Sequence, residues 1–465
     1  MPWLFLLATL VGAWLTYNAY RPTFTPPRRA VLSFFAGWLT TELALHHIAW
    51  QLVATVLFIW AGALRAWPGK LGLAVAVGSW IGLWWCYWRA RVVEDVVEQA
   101  LRDGLDADYR AAIRPAVAAQ FAPAVDWKQI GLPFPMRHPE VERVRDLTYR
   151  RVGGLNLKLD VYRSRSRSAD CPTLLQIHGG GWVMGSKNEQ ALPLMLHLAS
   201  RGWVCVSVDY RLSPHATFPD HLVDIKHAMH WIREHGGEYG ANPDFLVVTG
   251  GSAGGHLAAL VALTANDPEY QPGFEAVDTS VQACVAFYGV YDFTDRHRLW
   301  HHDQLRALLE RQVMKAAVHE APDAYAKASP MSRVSADAPP FFVIHGDLDS
   351  LVPVEEARHF CAALRGATRQ AVVYAEIPGA QHAFELFPSL RTTFVIHGVE
   401  RFLASVYSGY LTAEESRDDR RPAPAPAVEE VASSEACLDT PPKDGGYSAR
   451  TGNTPARITQ PVPSE

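Results

Sequence analysis

Ser252 stands in the run Gly250-Gly251-Ser252-Ala253-Gly254, directly after the apolar stretch Phe245–Val248 and before a helix-like segment. A serine attacks a carbonyl only if its hydroxyl is exposed on a turn too tight for flanking side chains, a requirement that Gly250 and Gly254 meet. The helix that follows would aim its N-terminus at developing negative charge. His178-Gly179-Gly180-Gly181-Trp182 follows a second apolar run, Thr173–Ile177. Bare glycines let backbone N–H groups come close to a substrate carbonyl and, with the amide of Ala253, form an oxyanion hole. A phosphate cradle would instead need a Lys-Ser/Thr ending or a GxGxxG helix start, and neither is present. The proton acceptor and its orienting acid are expected at later strand ends, in the order Ser, acid, His. His345-Gly346-Asp347-Leu348-Asp349 and Pro378-Gly379-Ala380-Gln381-His382-Ala383-Phe384 occupy those places. With 19 histidines in the chain, one loop histidine means little. Four pieces at four strand ends point to acyl transfer through Ser252, His382 and Asp349.

These pieces need a scaffold that brings strand ends together. Two alternating runs between Leu147 and Tyr162, broken at Gly153-Gly154, predict a hairpin. Apolar runs at Thr173–Ile177, Trp203–Val208, Phe245–Val248, Val281–Phe287, Phe341–Ile344 and Ala371–Ile377 read as buried strands. Helical patterns lie between most of them, including Asp220–His235 and Thr392–Tyr407. Buried strands alternating with helices predict an α/β fold, with a mostly parallel central sheet and helices on both faces. Sites in such sheets lie beyond the carboxyl ends of the strands.

From about Leu147 to Tyr407 the chain resembles the hormone-sensitive-lipase-like branch of the α/β-hydrolases, the bacterial esterase/lipase group. The resemblance rests on HGGGW at His178–Trp182, DYRLSP at Asp209–Pro214 with Phe218-Pro219 and Asp224 following, GGSAGG at Gly250–Gly255, HGDLD at His345–Asp349, and the QHAF segment. It implies Ser252 as nucleophile, His382 as general base, Asp349 as its orienter, and Gly180, Gly181 and Ala253 as oxyanion donors. Its spacing favours Asp349 over the neighbouring Asp347, which reads as a turn residue. The residue before the serine is usually acidic in this family and here is Gly251. Arg211 and Asp224 are expected to form a buried ion pair bracing the oxyanion loop, with His178 as a second brace. Trp182, Tyr288 and Phe384, beside the motifs, are candidates for an acyl pocket, and the segment between Phe287 and Ala338 for part of a cap.

The first ninety residues differ in kind. Apolar stretches run from Trp3 to about Tyr20, between Arg29 and Arg65 (cleanest from Leu43 to Leu64), and from Leu71 to Trp88. Each is near the ~20 residues that a membrane-spanning helix needs, and Trp and Tyr residues cluster near their ends. Residues 1–90 therefore read as a membrane anchor of three transmembrane helices. His46 and His47 inside the second read as neutral and paired between helices, with a functional site as the alternative. Arg21, Arg28, Arg29, Arg89 and Arg91 oppose Arg65 and Lys70, which points the catalytic domain to the cytoplasmic side of a multi-pass membrane protein. Residues 91–140 read as an amphipathic connector, 141–408 as the catalytic domain, and 409–465, rich in Pro, Ala, Ser and acidic residues, as a disordered tail.

A net charge of −5 without a long basic run excludes nucleic acid as the expected partner. The six scattered cysteines, without CxxC pairs, resemble neither a disulfide framework nor a zinc site. The expected partners are an ester, small or lipid-like, and the membrane, with no cofactor and no metal. An acyltransferase or a peptidase could use the same three residues, and an inactive membrane scaffold is the alternative from another class.

Overall fold

Eight strands form one sheet in the order β1-β2-β4-β3-β5-β6-β7-β8. They are β1 Val141–Val152, β2 Leu155–Ser164, β3 Cys171–Ile177, β4 Val204–Val208, β5 Ala241–Gly251, β6 Ala283–Phe287, β7 Phe341–Gly346 and β8 Val372–Ile377. β1 and β2 make the expected hairpin through Gly153-Gly154, and β2 joins β4 antiparallel. All later pairings are parallel. This computed structural model describes residues 1–418 apart from 122–124, 135, 167 and 302. Cys437 and most of the expected tail lie outside the described residues. The tail begins later than its composition suggests, because the last helix runs from Leu390 to Asp418. Tyr407 and Tyr410 on that helix pack on Phe245, so an apolar face carries it beyond the expected boundary at 409.

Strand composition explains the layering. β3, β4, β6 and β7 are almost wholly buried, as strands covered on both faces must be. Two apolar cores flank the sheet. One holds Leu222, Ile225, Leu257, Leu260 and Phe360, and the other Leu194, Met195, Val395 and Phe402. The five described cysteines are unpaired and buried. Chain order reverses around β3, which lies between β4 and β5. The loops after β3 and β5 therefore meet at the switch point, where ligands of such sheets bind.

The chain opens with α1 Pro2–Tyr20, α2 Pro27–Glu42, α3 Ala44–Trp60, α4 Trp67–Arg91 and α5 Val93–Gly104. By length and composition α1 and the stretch Trp67–Gly104 could each cross a membrane, whereas Arg28–Glu42 and Ala44–Trp60 pass only as a pair bent by 92°. The second apolar stretch is thus not one straight span. Its break has a cause: the Glu42 carboxylate accepts from Arg391 Nη1 at 2.6 Å and from Ser389 Oγ at 2.7 Å. Arg391 is 1 % exposed, and this buried ion pair pins the end of α2 to the catalytic part. Among the described residues the histidines do not pair with another of the apolar helices. His46 Nε2 lies 3.1 Å from the Gly131 carbonyl, and His47 packs edge-on against Trp50. The expected connector helix is α5. Its Val93, Val97, Ala100 and Leu101 are buried in the sheet-side core, and Gly104 lies so close to Val373 that a Cβ would approach its Cα to 2.7 Å.

Candidate active site

The turn after β5 carries Ser252 at φ 59° and ψ −122°, a backbone conformation that side-chain-bearing residues rarely hold. Such strain persists only where the surroundings enforce it. Here the Ser252 N–H donates to the Phe287 carbonyl at 3.0 Å, and the Ser252 carbonyl accepts from His256 N at 3.0 Å. A Cβ on Gly254 would lie 2.1 Å from the Ile177 carbonyl oxygen, so only glycine lets the new helix start this close to β3. That helix, Ala253–Leu263, is buried from Ala253 to Ala262, while Ser252 itself keeps partial exposure.

The glycine loop after β3 lies against this turn. A Cβ on Gly179 would come within 3.1 Å of Ser252 Cβ. Gly180 and Gly181 take φ of +115° and +59°. Gly179 N–H donates to Gln190 Oε1 at 2.6 Å. The N–H groups of Gly180 and Gly181 have no hydrogen-bond acceptor among the described residues, and that of Ala253, at the first helical position, has none within its helix. Three donors are thus available beside the serine. His178 braces the loop, stacked on Tyr210 at 4.3 Å, while Tyr210 Oη donates to the His178 carbonyl. Burial pushes the His178 pKa down and keeps the ring neutral. Asp224 accepts from Arg211 Nε at 2.7 Å and from Arg150.

His382 Nδ1 lies 2.7 Å from Asp349 Oδ2. Asp349 also accepts from the amides of Leu351 and Val352 at 2.8 and 2.9 Å, and His345 Nε2 is 3.2 Å away. Burial by itself would raise this carboxyl. The His382 charge and the bonds from both histidines outweigh it and hold the group well below the usual carboxylate range. Asp347 points elsewhere, to Gly379 N–H at 2.6 Å and to Arg89 at 3.6 Å. Gln381 Oε1 accepts from both Ser350 and His382 amides and ties the acid loop to the histidine loop.

Tyr288 joins the two halves. Its ring lies 4.5 Å from that of His382, and its hydroxyl would be 2.7 Å from a Cβ on Gly251. Among the described residues no hydrogen bond closes the gap between His382 and the Ser252 hydroxyl, as is common in unliganded sites. Like Tyr288, itself 2 % exposed, the other two acyl-pocket candidates are core residues. Trp182, 2 % exposed, donates to His256 and packs edge-on against Phe293; Phe384, 0 % exposed, packs near Phe287 and Tyr288. Their large apolar rings are consumed in seating the loops. The cap expectation has one direct contact, Leu308, whose Cδ2 would lie 3.3 Å from a Cβ on Gly181.

The BD-FAE family model matches residues 159–364. Over 429 residues the chain is 42 % identical to a probable carboxylic ester hydrolase, LipM, of Mycobacterium tuberculosis, covering 91 % of this chain and 96 % of that one. The chain belongs to the hormone-sensitive-lipase-like α/β-hydrolase esterases. It is 41 % identical to esterase LipQ of the same organism, covering 70 % of this chain and 78 % of that one. An esterase from Thermogutta terrifontis with butyrate bound is 28 % identical at a TM-score of 0.45, covering 54 % of this chain and 86 % of that one.

Two features of this esterase escaped the motifs. Glu385 lies buried behind Tyr288 and accepts from its hydroxyl, and α2 packs beside His382, with Phe34 6.4 Å from its ring. The signal for Glu385 was an acid embedded in the apolar run Ala383-Phe384-Glu385-Leu386-Phe387. For α2 the signal was Glu42, a carboxylate inside an apolar stretch that had to find a cation.

Proposed function

We propose that this esterase is a membrane-tethered carboxylic-ester hydrolase working through an acyl-enzyme on Ser252. The observation that carries the reading is the 2.7 Å Asp349–His382 contact, on the same strand ends as the strained serine turn. His382 takes the proton as Ser252 Oγ attacks the ester carbonyl. Asp349 holds the imidazole tautomer and stabilises its cation. The N–H groups of Gly180, Gly181 and Ala253 receive the oxyanion, and each such donor is worth about 10²–10³ in rate. The alcohol leaves with the proton from His382, and water then repeats the sequence on the acyl-enzyme. Ser252→Ala is expected to lose ester hydrolysis and labelling by an organophosphonate while its circular dichroism is unchanged. Normal turnover by that variant refutes the assignment.

The anchor in this reading crosses the bilayer three times, with α1, α3 and α4 as spans. The loop after α1, helix α2 and the hydrolase then share the side that carries Arg21, Arg28, Arg29, Arg89 and Arg91, the cytoplasmic one. Protease added outside sealed right-side-out vesicles should leave the hydrolase intact; digestion there would reverse the orientation.

A further inference from the structure

Resting on the esterase reading above, we propose that helix α2 is a wall of the substrate site and that the ester carries a long apolar chain drawn from the bilayer.

Helix α2 is fastened to the loop that bears His382. Trp38 Nε1 donates to the Ala383 carbonyl at 2.8 Å, one residue beyond His382. The Trp38 ring packs on Phe387 at 5.2 Å, and Phe34 sits edge-on to His382 at 6.4 Å. Glu42 closes the far end through Ser389 and Arg391. The segment preceding α2 reaches the opposite side of the site, where Phe24 packs edge-on against His301 at 4.9 Å. His301 belongs to the segment whose Leu308 approaches Gly181. The N-terminal region therefore touches both the histidine loop and the cover of the oxyanion loop. A substrate tail passing His382 meets Phe34 and α2.

The outer face of the same helix is apolar and uncovered. Val31, Leu32 and Phe35 are 41, 63 and 53 % exposed, on the same helix as the buried Phe34 and Trp38. Exposed rows of this kind continue on α3 with Val53, Val56 and Leu57. With α3 as a span, the 92° bend lays α2 flat in the membrane interface, the posture of a helix with one face in the acyl region. Arg21, Arg28 and Arg29, all exposed, then lie at the level of lipid phosphates. In that posture helix α2, about 10 Å across, stands between His382 and lipid. A water-dissolved short ester has no use for this contact, whereas an ester partitioned into the bilayer has its tail already at α2.

The test uses the full chain in phosphatidylcholine vesicles and a hexadecyl p-nitrophenyl phosphonate with a diazirine midway along the chain. Ser252 Oγ forms the P–O bond, p-nitrophenolate leaves, and His382 accepts the serine proton. An ethyl p-nitrophenyl phosphonate dissolved in water is the comparator. Both reagents should modify Ser252, and light should then place most of the cross-link within residues 27–42. Modification of Ser252 with the cross-link confined to residues 300–314 overturns the proposal, because the chain then leaves under the cover segment. Modification by the ethyl reagent alone overturns it as well, because the bilayer route is closed. Modification by neither sinks the esterase reading instead.

Discussion

Replacing Glu385 with Gln separates proton uptake from packing beside the active site. Glu385 accepts from the Tyr288 hydroxyl through one oxygen, while its other, buried oxygen has no partner. Burial pushes its pKa up from 4.5 to about 7, against the lowering effect of the Tyr288 bond and the His382 charge. The unfolded chain holds this proton only below its ordinary value, so folding takes up a proton between those two pH values. Its contribution to stability is fully present below about 4.5 and is lost as pH rises through about 7. That shift corresponds to about 3 kcal/mol. Glutamine keeps the acceptor for Tyr288 and cannot ionise. Relative to Glu385→Gln, the parent chain should lose about 3 kcal/mol between pH 4.5 and 8, a relative fall of about 1–2 M in its urea midpoint. Residual esterase activity after incubation in urea, in the same detergent at both pH values, reads the midpoints. Glu356, also buried and raised to about 7, is present in both chains and cancels in the difference. Parallel pH dependence of the two midpoints refutes the argument.

Asp349→Asn leaves the loop amides and the histidine in place but presents the wrong partner to His382 Nδ1. It should lower kcat by about 10⁴ with little change in KM, and a steady-state comparison on a short ester checks this. Gly251→Asp brings in the acidic residue usual in the family, yet its Cβ would meet Tyr288 atoms at 2.7 to 3.0 Å. The variant should lose about 1–3 kcal/mol of stability together with activity, and because the two side chains compete for one space, Gly251→Asp should cost less stability in a Tyr288→Ala background than in the parent chain. Thermal melts of the single and double variants test it.

Where relatives usually carry an acid next to the nucleophile, this chain has bare backbone, and the space belongs to Tyr288. A buried carboxylate, Glu385 from the loop of the histidine, lies behind that ring.

Residue order alone was enough for the elements whose requirements are local. Apolar runs of strand length, separated by helical patterns, dictate a covered parallel sheet. The glycines around Ser252 and in His178–Trp182 mark turns where backbone must approach backbone, so the serine turn, the glycine loop and the Asp349 and His382 loops were legible. The choice of Asp349 over Asp347 needed either family spacing or coordinates, because both sit on one short loop. Tertiary structure decided the rest. The roles of Trp182 and Phe384 depend on which way large rings turn, and packing sends them into the core. The bend at Leu43 and the placement of α2 beside His382 depend on a Glu42–Arg391 pair more than three hundred residues apart in the chain. Hydropathy registers how apolar a segment is. It carries no information about a distant arginine able to draw one carboxylate out of it.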